Sequence, residues 1–265
     1  MNRERIGICW YAVRPVLVYL VLFITIRSIL LRLMESFLLG TSADMAAYYA
    51  EWHDFMNILI IAVSSACAVI PEIREGQREI LLLRKHRDSA WINKRKDAGE
   101  LIGILPVGTL CLSMLLNIVL SGEETSEPIR TVAVPMAAAV YGLLTPFIEE
   151  VLYRGILWHR LRRGFRPLTA ALLSALVFGA AHGEIRQGIY AFVMGAVFAM
   201  GYELTRQFEV PFLLHSSCNL LVLAASFFGW TEYLRSPAWI LFMAICAAGT
   251  FFYWGKRLRE TKFKL

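Results

Sequence analysis

The 265-residue sequence predicts an all-α fold, a polytopic membrane bundle of about eight transmembrane helices, and three observations carry that expectation. Hydrophobic residues make up 57% of the chain and charged residues only 18%, where soluble domains carry roughly a quarter charged residues. Apolar runs long enough to cross a bilayer, about 20 residues each, recur along the whole chain. Lysines and arginines gather between those runs instead of spreading through them, so the mean hydropathy stays at +0.54 despite a net charge of +6.

Taken in order, spans are expected near 11–31, 54–71, 101–120, 131–160, 168–182, 188–205, 208–228 and 237–255. The fifth is short, and seven spans is the competing count. The basic start before the first run resembles a secretory leader. The run continues past Ile26, however, with no small-residue cleavage site before Arg27, so a retained first span is expected. Segment 72–100 is the one long polar stretch. Its Ile80–Leu83 run amid charges fits either an interfacial amphipathic helix or a solvated loop. Neither an internal repeat nor a soluble domain is visible. The organisation expected is one integral membrane domain, with N-terminal spans and a basic loop over 1–130, a core over 131–228, and a last span with a basic tail over 229–265.

Charge placement excludes a nucleic-acid partner in favour of the lipid bilayer. Basic clusters occupy 72–100, 154–166 and the tail from Lys256, whereas Ser121–Pro128 holds Glu123, Glu124 and Glu127 and no basic residue. Basic loops face the cytoplasm, so an even span count places both termini there, in a bacterial plasma membrane by expectation. Cys9, Cys67, Cys111, Cys218 and Cys246 show no metal or redox spacing and read as small core residues.

Polar residues deep in spans are the functional signal, because a charge at the bilayer centre costs about 2.5–3.5 kcal/mol on insertion scales. The first group is Glu149-Glu150-Val-Leu-Tyr-Arg154. Glu150 and Arg154 are four residues apart with the acid first, the favourable order for a pair, while Glu149 points elsewhere and has no local cation. The second is Phe178-Gly-Ala-Ala-His182. Glu149 lies 15 residues before Gly164 and His182 lies 15 after Pro167, so a hairpin turning at Gly164–Pro167 puts both at one height. A general-base pair is then geometrically available. The third is His215-Ser-Ser-Cys-Asn219, whose His and Asn share a helix face. They could form an oxyanion hole, His215 could ligate a metal, or both could be polar glue between helices. His53, His86 and His159 read as solvated or interfacial, and Glu203, Trp10, Trp158, Trp230 and Trp239 as helix anchors at the interface.

These three strings, in this order on successive spans, resemble the EExxxR, FxxxH and HxxxN motifs of the CAAX protease and bacteriocin-processing (CPBP, or Abi) family. The resemblance covers about 131–228, without departure at the motif positions. It implies an intramembrane, glutamate-dependent endopeptidase acting on a peptide or membrane-anchored protein. Glu149, helped by His182, would activate water; His215 and Asn219 would stabilise the oxyanion. Glu150 and Arg154 would hold the helix, with Phe178 in support. No cofactor is expected, zinc on Glu149, His182 and His215 being the alternative. A non-enzymatic membrane protein, such as a transporter or an immunity or scaffold protein, is the competing class, though no inverted repeat supports transport. The motifs of rhomboid, presenilin-like and site-2 proteases are absent. The nearness of His215 to Pro211 leads to the expectation of a cytoplasm-facing cavity. The short fifth span leads to the expectation that the 183–187 turn lines a wet funnel.

Overall fold

The computed structural model describes the backbone of residues 3–39, 43–85, 89–121 and 133–260, and the side chains of 3–37, 52–79, 103–120 and 133–256. All described elements are helices. They run as α1 (Arg3–Leu39), α2 (Ala43–Lys85), α3 (Ser89–Ser121), α4 (Val134–Leu161), α5 (Pro167–Ala180), α6 (Ile185–Thr205), α7 (Glu209–Phe227), α8 (Trp230–Leu234) and α9 (Pro237–Glu260). Seven of them are long and apolar enough to span a membrane, and α5 is a shorter apolar helix. Its 14 residues rise about 21 Å, short of a bilayer core of about 30 Å. The eight expected segments therefore all exist as helices, and the competing count of seven reflects the short α5. The 72–100 stretch is neither a separate interfacial helix nor a loop where it is described, because α2 continues to Lys85 and α3 starts at Ser89. Helix propagation adds one hydrogen bond per residue once a span is nucleated, so a charged extension follows its apolar parent.

Helix α4 is the centre of the bundle. Every residue from Val151 to Leu161 is buried, and α1, α2, α5, α6 and α7 all pack on α4. A helix apolar on nearly all sides is stable only when surrounded in this way. Ile148, Leu152, Ile156 and Leu157 meet Ala12 and Val16 of α1, Ala68 of α2, Ala170 of α5 and Ala199 of α6 in the main core. Small residues on the partners let the backbones approach, as membrane helices require. Outside this centre, Val21, Leu33, Ile70, Val119, Leu241 and Phe252 are more than 60% exposed, a lipid-facing surface for a spanning bundle.

Centrality overturns three interfacial expectations. His159 is buried, its Nδ1 donating to the Gly155 carbonyl at 2.7 Å and its Nε2 3.3 Å from the Tyr202 hydroxyl. Trp158 is fully buried against Tyr202, and Glu203 is buried between Arg162 and Arg206. Lying near the ends of α4 (Trp158, His159) and α6 (Glu203) did not place these side chains at a surface, because neighbouring helices pack around them. Trp10, Trp230 and Trp239 do lie exposed, and His53 sits at an exposed site beside Asp54 and Asn57. His86 lies outside the described residues. The five cysteines are unpaired.

One end of the bundle is tied by arginines. Arg160, with no exposure, donates to the Tyr11 carbonyl and pairs with Glu75. Arg163 grips Glu79 at 2.8 Å, and Arg162 reaches Glu203 at 3.3 Å. This arginine belt joins the ends of α1, α2, α4 and α6. At the opposite end the α5–α6 hairpin turns through Gly183, whose φ of +74° suits glycine. Glu184 caps α6 by accepting from the Arg186 and Gln187 N–H groups, which hold its carboxyl below the usual range. Lower down, the two helices nearly touch, and a Cβ on Gly179 would stand 2.6 Å from the Gly188 carbonyl oxygen. Gly179→Val is therefore expected to cost about 1–3 kcal/mol through overpacking, read as a lower unfolding midpoint in detergent. A wild-type midpoint would show that the hairpin is not so closely packed.

Candidate active site

The three motifs converge on one cavity of about 440 Å³ between α3, α4, α5, α6 and α7. Glu149, Phe178, His182, His215 and Asn219 all line it. The equal spacing about the hairpin turn thus brought Glu149 and His182 to one cavity, although His182 follows α5 in the turn instead of ending the helix.

The two glutamates separate as a helix demands. Glu149 keeps 17% side-chain exposure in the cavity, and Glu150 keeps none. Arg154 donates from Nη1 to Glu150 Oε1 at 2.8 Å and from Nη2 to the Gly195 carbonyl at 2.9 Å. The pairing of Glu150 with Arg154 was legible from spacing; its second partner was not. His215 Nδ1 donates to the same Glu150 oxygen at 2.8 Å, which turns Nε2 towards Glu149 Oε2, 3.6 Å away. Glu150 therefore orients the His215 ring as a carboxylate orients many functional imidazoles.

Rings enclose this chain of charges. Phe198 stacks on His215 with centroids 4.9 Å apart, and Phe178 sits edge-on to both His182 and His215. The Arg154 guanidinium lies 5.0 Å from the Phe178 ring and 5.4 Å from Phe198, within cation–π range. Phe178 thus touches three polar members of the site, which accounts for its place in the motif. Phe198 and Gly195 were missed by sequence reasoning, because an apolar ring and a backbone carbonyl on an apolar helix give no signal.

His182 Nδ1 donates to the Phe178 carbonyl at 2.8 Å, so in the neutral ring Nε2 carries the lone pair. Asn219 Nδ2 donates to the Tyr141 carbonyl at 2.9 Å, leaving its second N–H for another acceptor. That carbonyl is available for a local reason. Val140–Leu144 is a π-helical turn in which the Thr145 N–H reaches back to Val140, and Pro146 has no N–H to give. Pro146 stood in the sequence beside the glutamates and was the signal that could have predicted a free carbonyl there.

No three His, Cys, Asp or Glu side chains among the described residues converge as a metal site.

The cavity closes at Phe198 and Met194, each about 1% exposed, and opens at Gln187 and Ser226, both exposed. Asn117, four residues before the end of α3, lines the same upper part. The opening lies at the end opposite the arginine belt and the Pro211 turn, whereas the nearness of His215 to Pro211 led to the expectation of an opening at the Pro211 end. Nearness of His215 to Pro211 measures depth along α7, whereas the buried Phe198, Met194 and Leu214 close that side. The 183–187 turn is exposed and contributes Gln187 to the mouth.

Residues 131–221, which contain all three motifs, match the model of the family described as type II CAAX prenyl endopeptidase Rce1-like. Among curated proteins, "Putative membrane peptidase YdiL" of Bacillus subtilis is 30% identical over 102 residues, covering 38% of this chain and 42% of that protein. The membrane-embedded CAAX protease MroQ of Staphylococcus aureus is 23% identical over 121 residues, covering 42% of this chain and 49% of that protein. The matches thus span less than half of either relative. No solved structure matches. The resemblance to CAAX proteases read from the three motifs is borne out, over a segment that contains most of the cavity's lining.

Removing either member of the buried pair should leave an uncompensated charge. Glu150→Gln and Arg154→Met are each expected to lose about 3–5 kcal/mol of stability, and the double variant distinctly less than their sum. Strict additivity in a thermal double-mutant cycle would show that the pair is not coupled.

Proposed function

We propose that the protein is an intramembrane endopeptidase that hydrolyses a peptide bond in a membrane-associated or lipidated protein or peptide. The observation that carries this reading is the convergence of Glu149, His182, His215 and Asn219 on one cavity, with His215 Nε2 3.6 Å from the Glu149 carboxylate. The CAAX-protease family match over the same residues and the names of the two relatives support it.

In this mechanism Glu149 removes a proton from water as the oxygen attacks the peptide carbonyl, and returns that proton to the departing amine. His182 Nε2 accepts a hydrogen bond from the same water and aligns it. The tetrahedral oxyanion is met by the second N–H of Asn219 and by the Nε2 edge of His215. Glu150 holds that ring from behind and is a positioning residue, as is Arg154. Donors fixed in advance in a water-poor site are worth several kcal/mol in a transition state. No metal enters the reaction, and the basic belt together with both termini faces the cytoplasm.

Glu149→Gln and His182→Ala are expected to lower kcat by about 10²–10⁴. Asn219→Ala should lower it by about 10²–10³, with the unfolding midpoint held near wild type. Processing that survives all of these changes at normal expression would sink the peptidase reading. Under the metal-free mechanism, chelator treatment leaves activity intact and elemental analysis finds no stoichiometric zinc. Loss on chelation and recovery with zinc would overturn it.

A further inference from the structure

The cavity has a direction, and its lining changes along it. Helix α7 presents His215, Asn219, Val222 and Ser226 at spacings of three and four, so a single face of α7 lines the cavity from floor to mouth. The distance from His215 to Ser226 along that face is about 16 Å, the length of four to five residues of extended chain. Along the way the lining alternates apolar surface with neutral hydrogen-bonding groups, among them Asn117, Gln187 and Thr145. Thr145 belongs to this lining, and its buried hydroxyl has no hydrogen-bond partner in the protein. Among the described lining residues, the acidic and basic groups are Glu149, His182 and His215 alone, all on the reacting side. Just beyond Ser226 in the chain stand exposed Phe228, Trp230 and Tyr233, side chains of the kind that settle at a membrane–water boundary.

We propose that the cavity is a slot for an extended, uncharged peptide segment of about four to five residues, which enters at Gln187 and Ser226 from the side opposite the arginine belt and lies along α7 to His215. This rests on the peptidase reading and adds to it the substrate's conformation, its lack of charge and its side of entry. An extended backbone finds neutral donors and acceptors along the wall. A charged side chain inside the slot would be desolvated without a counter-charge. Under the positive-inside arrangement, the mouth faces away from the cytoplasm.

The full chain in nanodiscs, given a cleaved reporter peptide, tests the slot. Asp or Lys placed singly at the five positions on either side of the cut bond should reduce kcat/KM by about tenfold or more on the side that fills the slot, and have little effect beyond it. Gln187→Ala should raise KM with kcat unchanged. In parallel, Ser226→Cys in a Glu149→Gln background is labelled with a membrane-impermeant maleimide, with the Glu149→Gln chain as control for native thiols. Labelling from outside intact cells, and protection by the uncharged peptide, are the expected results. Labelling only after permeabilisation overturns the side of entry. Cleavage that tolerates charge at every position, without protection of the introduced thiol, overturns the slot. Protection without any cleavage by the wild-type chain sinks the peptidase reading and leaves the slot standing.

Discussion

Arg154 and Glu150 meet at 2.8 Å with no exposure of either side chain, and the geometry around the cavity follows from how that pair is satisfied. A lone charge at such depth would cost several kcal/mol, so each must be held by partners on more than one helix. Arg154 directs its second Nη to the Gly195 carbonyl of α6, and Glu150 shares its oxygen with His215 of α7. Three helices are thereby pinned at one level. Because Glu150 is drawn inward by this network, Glu149, about 100° away on the same helix, is left to the cavity.

The close approach of α5 and α6 serves the same level. A Cβ on Gly195 would stand 2.8 Å from the Phe178 ring, so glycine there lets Phe178 sit under the guanidinium while the Gly195 carbonyl stays within reach of Arg154. Phe198, one turn along, covers the other side and stacks on His215. The π-helical turn before Pro146 adds an irregularity of the kind that often marks functional sites, and here it frees the carbonyl that fixes Asn219.

The two ends of the bundle differ in kind. At one, Arg160, Arg162 and Arg163 reach carboxylates on α2 and α6 and close the helices together. At the other, short α5 ends in an exposed turn, and the cavity opens there between α5, α6 and α7.

The sequence by itself determined the helical class, the order and approximate bounds of the spans, the Glu150–Arg154 pair and the common depth of Glu149 and His182. Those features depend on run length, on residues four apart, and on equal distances from a turn, all of which are local or nearly so. It misjudged His159, Trp158 and Glu203, because a helix end reads as an interface until its neighbours are known to pack around it. Only the tertiary structure decided that His215 leans on Glu150, that Phe198 and the carbonyls of Gly195 and Tyr141 complete the site, and that the cavity opens away from the arginine belt. The physical reason is that these are contacts between faces of different helices. Which faces meet depends on the packing of small residues and the rotation of each helix, and hydropathy along one chain does not record either.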